Sequence, residues 1–274
     1  MPAATETLSL LECSRFLVGE FDFDFVQKKQ ITDIYHRLIA TQPPNLLITP
    51  QRVRDPSLDS SLQQLVWAPE TIESIFDLML ELASLVGEAS RGQDLVVGLR
   101  ERFFSASDYV NPYTSGARVC VLESLEPLVT SGLWVSQLLE RAGARVPLNP
   151  TSPMSDAGAG AGGQQAHRVA DPPRTLDRHE LIGASLDALI VCLKRTELSE
   201  SVSRTRAWIE KHEWVRDLSC IRSSQYLVVD GRLSFHDTGP SLFDTYQWLV
   251  AWLNDRPLLA PREYPCHPRV PPRV

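Results

Sequence analysis

The 274-residue sequence lacks any uninterrupted apolar run of about 18 residues, the length that a membrane-spanning helix needs. It also lacks a basic amino-terminal segment followed by an apolar stretch, so we expect no membrane insertion and no export signal, and we predict a cytoplasmic location. Basic residues are outnumbered by acidic ones, 27 to 34, for a formal net charge of -7. Nucleic acid is therefore excluded as the main partner, because phosphate binding needs concentrated positive charge.

Metal-binding and disulfide patterns are missing too. The cysteines are odd in number, contain no CxxC pair and lie far apart, at Cys13, Cys120, Cys192, Cys220 and Cys266. The six histidines show no i, i+4 spacing that would place two ligands on one helix face. We predict buried free thiols and no directly coordinated metal.

Catalytic motifs are also absent in a usable context. Gly158, Gly160 and Gly163 spell GxGxxG, but no strand precedes them and no helix opens at them, as phosphate binding requires. The nearest match to a serine-hydrolase elbow, GASLD at residues 183–187, lacks the second glycine. Since no nucleophile with a positioned base can be assembled, we predict a protein that is not an enzyme.

Short apolar runs alternate with amphipathic helical patterns, which predicts an α/β fold with a parallel or mixed sheet. In the first part of the chain we expect a helix over 30–40 and short strands over 45–49 and 62–67, with 21–25 either a strand or a loop. Further on, we expect strands over 118–124, 188–193 and 226–229 and helices over 131–142, 177–184, 199–212 and 242–253.

The longest helical period covers residues 70–104, directly after Pro69. The segment from Gly87 to Gly92 interrupts it, so two helices or one strongly kinked helix are both allowed. A continuous helix would be about 50 Å long, a length that suits a bridge between two lobes.

Residues 149–174 are rich in Pro, Ser, Gly, Ala and Gln and have little to bury, so we predict a disordered, dispensable insertion. The expected organisation is an N-terminal α/β lobe over 1–69 and a bridging helical region over 70–117. A C-terminal α/β lobe over 118–257 and a Pro-rich tail over 258–274 follow.

Two loops follow the carboxyl ends of predicted strands, where ligands bind in open α/β sheets: residues 124–134 and 235–240. Trp134 offers a flat apolar face, although its pattern also fits a core residue. Residues 237–240 could equally form a turn that leads into the last helix.

Four runs resemble the cobalamin-type ABC-transporter substrate-binding proteins, a family that binds vitamin B12 and iron chelates. They are VCVLESLEPLVTSGLWVSQLLERAG at 119–143, LVVDGRLSFHDTGPSLFDTYQWL at 227–249, the region 65–92 and TQPPNLLITPQ at 41–51. Within the first run, Glu123, Ser124, Glu126, Pro127 and the segment 132–134 occupy the positions of the family's hallmark loop.

The resemblance implies two α/β lobes, the N-terminal one reduced, joined by a long bridging helix with a ligand cleft between them. It implies no catalysis and a small-molecule ligand, a corrinoid such as cobalamin or a similar metal chelate. We expect the ligand-binding residues to be Ser124, Glu126, Leu133, Trp134, Asp237, Thr238, Gly239 and Pro240.

The sequence departs from the family at several positions. The family's first strand is missing or reduced to residues 8–11, and Ser124 stands where the family has tryptophan. The alternative function is therefore a degenerate scaffold that binds a protein partner and no small molecule. A transporter partner is not required by either alternative.

Overall fold

The computed structural model describes residues 2–11, 45–52, 62–111, 113, 115–153, 168–232 and 235–267. The chain divides into two compact units. Unit 1 comprises Met1–Pro69 and Glu73–Gly98, and unit 2 comprises Glu70–Ile72 and Leu99–Val274. Within the described ranges, no helix is both long and apolar enough to cross a bilayer.

Unit 1 contains helix α1 (Pro2–Leu10) and the parallel strands β1 (Leu46–Thr49) and β2 (Gln63–Val66). The suggestion that residues 8–11 form a reduced strand is wrong, because the helical hydrogen bonding of α1 extends to Leu11, whose N–H donates to the Thr7 carbonyl. The elements expected at 21–25 and 30–40 lie outside the described residues.

The predicted bridging helix is two helices, α2 (Ile72–Leu85) and α3 (Ala89–Ser107). Gly87 ends α2 in the left-handed conformation, with φ of 80°, which glycine adopts without steric cost. Gly92 then lies against Ala83, since a Cβ at Gly92 would be 2.3 Å from the Ala83 Cβ. The bridging region is therefore a pair of helices that turns at 86–88, which is one of the two possibilities that the sequence left open.

Unit 2 is built on a six-stranded sheet of order β10-β9-β8-β3-β4-β7. The strands are β3 (Val119–Leu125), β4 (Leu128–Thr130), β7 (Arg174–Thr175), β8 (Ala188–Val191), β9 (Tyr226–Val229) and β10 (Cys266–His267). The central strands β3, β8 and β9 are parallel, and the flanking pairs are antiparallel. This confirms the predicted α/β class.

The central strand β8 is buried along its whole length, so both faces of the sheet are covered. On one face, α5 (Arg178–Gly183), α6 (Leu198–Lys211), α7 (Glu213–Arg216) and α8 (Ser219–Arg222) contribute to a core with Leu122, Leu189 and Val228. Helices α4 (Trp134–Arg141) and α9 (Leu242–Leu253) are joined elsewhere by the Tyr246 hydroxyl, which donates to the Arg141 carbonyl at 3.3 Å. The Tyr246 ring also stacks on Phe103 of α3, with centroids 4.1 Å apart.

Two predicted boundaries change. The ends of the expected insertion at 149–174 are ordered: β5 (Ser152–Pro153) pairs with β6 (Arg168–Val169), and β7 pairs with β4. Backbone and side-chain hydrogen bonds stabilise these ends, so a low content of apolar residues did not indicate disorder there. Residues 154–167 lie outside the described residues. The tail expected from residue 258 contains a 3-10 turn (Pro257–Leu259) and β10, which pairs with β9 and so belongs to the sheet of unit 2.

Candidate functional site

The carboxyl ends of β3, β8 and β9 meet at one edge of the unit 2 sheet because these strands are parallel. The loops that follow them contain residues 192–197 and 230–240, and β3 itself continues past the ladder that it shares with β8. Ligands commonly bind at such an edge. We refer to this part of unit 2 as the carboxyl edge.

The loops after β8 and β9 are joined by backbone hydrogen bonds. The Arg195 N–H donates to the Gly231 carbonyl at 3.1 Å, and the Gly231 N–H donates to the Thr196 carbonyl at 2.9 Å. A Cβ at Gly231 would lie 1.7 Å from the Leu193 carbonyl oxygen, so only glycine fits. Arg195 adopts a left-handed φ of 59°, which a non-glycine residue holds only under local constraint.

Asp230 stabilises the same loop. Its carboxylate accepts hydrogen bonds from the Leu198 N–H at 3.3 Å, at the start of α6, and from the Arg232 guanidinium at 2.9 Å. Burial raises the pKa of Asp230, but the hydrogen bonds and charge of Arg232 together with the Leu198 N–H outweigh it and leave the pKa below its ordinary value. The VDG run at 229–231 is therefore a structural turn.

Trp134 joins the two loops that the sequence singled out. It is the first residue of α4, is half-buried, and its indole Nε1–H donates to the Phe235 carbonyl at 3.0 Å. Phe235 in turn hydrogen-bonds through its backbone to the Cys192 thiol. The structure thus brings the start of α4 together with the loops after β8 and β9.

Leu133, just before α4, has a strained backbone with φ of 52° and ψ of -130°. Its N–H donates to the Asp171 carbonyl at 3.1 Å. The buried Asn149 amide donates to the Ser131 carbonyl at 3.0 Å and to the Asp171 carbonyl at 3.1 Å. Residues near both ends of the segment once expected to be disordered therefore support the loop that carries Trp134.

Asp237, Thr238, Gly239 and Pro240 are buried in unit 2. The Asp237 carboxylate accepts the Gly239 N–H at 3.0 Å, and the Gly239 carbonyl accepts the N–H of Leu242 at 3.1 Å, at the start of α9. This geometry matches the alternative interpretation, a turn into the last helix. Direct ligand contact by these four residues stays a prediction.

Ser124 lies near the end of β3, and Glu126 directly follows the strand. Ser124 is half-buried and pairs with Val129 of β4. Glu126 is exposed, and its carboxylate accepts hydrogen bonds from the Lys211 ammonium and the His212 ring, each at 2.8 Å. These two hydrogen bonds lower the pKa of Glu126, the one from Lys211 more than the one from His212. Its carboxylate is thus held at the end of α6.

The expected ligand-binding residues did not include Glu123, Lys194 or His236, although all three lie at the carboxyl edge. The half-buried Glu123 sits at an irregularity in the β3–β4 pairing, and burial raises its pKa to about 7, with Lys194 opposing the rise. Burial and, to a smaller extent, the charges of Lys194 and Arg195 lower the pKa of His236 to about 4, against the hydrogen bond to the Cys192 carbonyl, which raises it. A charged residue directly after the apolar run 119–122 was the available signal for Glu123.

His236 has a defined tautomer. Its Nε2 lies 2.9 Å from the Cys192 carbonyl, which can only accept, so Nε2 carries the proton and Nδ1 is an acceptor. The ring is neutral at pH 7 because of its lowered pKa. Among the residues that the structure describes, no group of three His, Cys, Asp or Glu side chains could hold a metal ion.

Comparison with known proteins identifies the fold. The chain matches no protein-family profile and no curated protein sequence. Solved structures that share its fold include the periplasmic heme-binding protein RhuT from Roseiflexus sp. RS-1, at 16% identity and a TM-score of 0.67, covering 93% of this chain and 95% of that chain.

Two other solved structures bind different ligands. The periplasmic vitamin B12 binding protein BtuF of Vibrio cholerae matches at 15% identity and a TM-score of 0.61, covering 93% of this chain and 95% of that chain. The triscatecholate siderophore binding protein FeuA from Bacillus subtilis, solved with ferri-bacillibactin, matches at 12% identity and a TM-score of 0.62, covering 93% and 89%. The predicted resemblance and two-lobed α/β fold class are confirmed at the level of the fold.

The predicted cytoplasmic location is wrong. It rested on the missing basic amino-terminal segment and the missing long apolar run, whereas the solved structures that share the fold over more than 90% of the chain are periplasmic binding proteins. The fold comparison therefore overturns it.

Proposed function

We propose that this chain is a ligand-binding protein without catalytic activity, and that its carboxyl edge receives a flat metal chelate of the corrinoid or other tetrapyrrole class. The observation that carries the proposal is the position of Trp134, half-buried at the start of α4 and hydrogen-bonded to the loop after β9. A half-buried indole whose polar N–H is satisfied by the protein leaves its apolar ring for contact with a planar ligand.

The comparison supports the class of ligand. Proteins with this fold bind heme, vitamin B12 and a ferric siderophore, all of which are metal chelates. The strained backbone at Leu133 and Arg195 supports the location, because such strain collects at ligand sites where the surrounding structure enforces it.

The proposal is tested by titrating the full chain with cyanocobalamin, iron protoporphyrin IX and a ferric catecholate siderophore, following ligand absorbance. We expect one-to-one binding of at least one of them, and at least a tenfold loss of affinity in Trp134→Ala, which corresponds to about 1.4 kcal/mol. Trp214→Ala is the matched control, since Trp214 is also half-buried in unit 2 but packs edge-on against Trp208 on α6.

Each alternative outcome contradicts a stated part of the proposal. Absence of binding by all three chelates would overturn the ligand-binding role and favour the protein-binding scaffold. An equal loss of affinity in Trp134→Ala and Trp214→Ala would overturn the carboxyl edge as the site.

A further inference from the structure

A cavity lies at the edge of the unit 2 sheet that is opposite to the carboxyl edge. Its volume is about 740 Å³, a size at which pockets hold small molecules. Residues 115–117, 187 and 225 line this cavity and lie just before β3, β8 and β9. Because these strands are parallel, the cavity lies at their amino ends. We refer to it as the amino-edge cavity.

Two glycines form part of the cavity wall. A Cβ at Gly116 would lie 1.8 Å from the Gly143 carbonyl oxygen, so position 116 accepts no side chain. Gly143 has a left-handed φ of 93°, a conformation that favours glycine. The Asn254 amide also lines the cavity and is held in place, since it donates to the Ala142 carbonyl at 2.9 Å and to the Val250 carbonyl at 3.0 Å. Hydrogen-bonded backbone therefore fixes this wall.

Two exposed side chains of opposite charge line the same cavity, Arg145 and Asp187. The Arg145 Nε–H donates to the Gly116 carbonyl at 2.9 Å, which orients the guanidinium. One carboxylate oxygen of Asp187 accepts the Arg118 N–H at 2.8 Å, which orients the carboxylate. Within the described part of the chain, the terminal guanidinium nitrogens of Arg145 and the second carboxylate oxygen of Asp187 have no hydrogen-bond or ion-pair partner.

The two charges are too far apart to pair with each other. Arg118 lies between them: it forms a parallel bridge with Arg145, and its carbonyl accepts the Asp187 N–H at 2.9 Å. Two backbone spacings of about 4.8 Å place Arg145 and Asp187 roughly 10 Å apart along this edge. Arg222 lines an adjacent hollow together with Asp187. Among the described residues, no ion pair joins Asp187 to either arginine.

We propose that the amino-edge cavity binds a small zwitterion of the α-amino acid class. The Arg145 guanidinium pairs with the ligand carboxylate, because its fork of N–H donors matches two carboxylate oxygens. The second oxygen of Asp187 accepts a hydrogen bond from the ligand ammonium group. A simple anion would pair with Arg145 but would leave Asp187 near a like charge, whereas a zwitterion satisfies both side chains. This site is separate from the carboxyl edge and does not depend on the proposed function.

The test is calorimetric titration of the full chain with each of the common L-amino acids, and with acetate and methylammonium as probes that carry one charge each. We expect one-to-one binding of at least one amino acid, and binding of acetate and methylammonium that is weaker by about tenfold or more. Arg145→Gln and Asp187→Asn should each weaken amino acid binding by about tenfold, which corresponds to about 1.4 kcal/mol. Asparagine keeps an acceptor for the Arg118 N–H, so Asp187→Asn should unfold at the same urea concentration as wild type.

Arg216→Gln is the matched control and should bind as wild type does. Arg216 is also exposed and also donates to a backbone carbonyl, that of Glu210 at 2.8 Å, but it does not line the cavity. Absence of binding by every amino acid, or equally tight binding of acetate, would overturn the zwitterion site. Equal affinities of Arg145→Gln and Arg216→Gln would overturn its location. Chelate binding at the carboxyl edge is measured separately, so either result leaves the proposed function standing.

Discussion

Replacing Gly132 by alanine tests whether the segment at residues 171–172 supports the loop before α4. An alanine Cβ at Gly132 would lie 2.1 Å from the Asp171 carbonyl oxygen and 2.7 Å from both the Pro172 carbonyl carbon and the Asn149 amide nitrogen. Real Cβ contacts do not occur below 3.0 Å, so the backbone at 171–172 must move by roughly an ångström.

That displacement gives the expected magnitude. It would disrupt the hydrogen bond from the Leu133 N–H to the Asp171 carbonyl and those of the Asn149 amide, each worth about 0.5 to 1.5 kcal/mol. Overpacking itself costs about 1 to 3 kcal/mol. We therefore expect Gly132→Ala to lower the free energy of unfolding of unit 2 by about 2 to 4 kcal/mol.

The assay is urea unfolding followed by tryptophan fluorescence, which reports mainly on unit 2 because only Trp67 of the six tryptophans lies in unit 1. Gly183→Ala is the matched control: it makes the same chemical change in unit 2, at the end of α5, where a Cβ meets nothing within 4 Å. The control should change stability by less than about 1 kcal/mol. Gly132→Ala with a stability within about 0.5 kcal/mol of the control would refute the packing described here.

Two further perturbations test the carboxyl edge and its support. Folding raises the pKa of Glu123 from 4.5 to about 7, so wild type should lose stability as the pH rises through this window. Glu123→Gln should therefore be more stable than wild type by up to about 3 kcal/mol at pH 8.5 and similar to it near pH 4. A stability difference that does not depend on pH, measured by denaturant titration, would contradict this. Asn149→Ala should lower the free energy of unfolding by about 1 to 3 kcal/mol. Asn149→Asp should lower it more, because a carboxylate cannot donate to the Ser131 and Asp171 carbonyls. Unchanged thermal unfolding of both variants would show that these hydrogen bonds to residues 131 and 171 are not needed.

Helices and strands of unit 2 were predictable because their signals are local. The apolar run 119–122 and the all-buried strand β8 indicate parallel strands covered on both faces, and the helical period of 242–253 coincides with α9. Trp134 and the loop at 235–240 were also accessible from sequence, because both follow the carboxyl ends of strands. The break at Gly87 was visible, although whether it separates two helices depended on its left-handed backbone.

The α/β class, the order of the central elements and the two loops at the carboxyl edge follow from local patterns, since strand and helix periods depend on neighbouring residues. What those loops contact depends on the tertiary structure. The hydrogen bond from Trp134 to Phe235 joins residues 101 positions apart, and the support of Gly132 by Asp171 comes from a segment whose composition predicted disorder. The burial that raises the pKa of Glu123 likewise depends on which segments of the folded chain cover it, and no local sequence pattern encodes that.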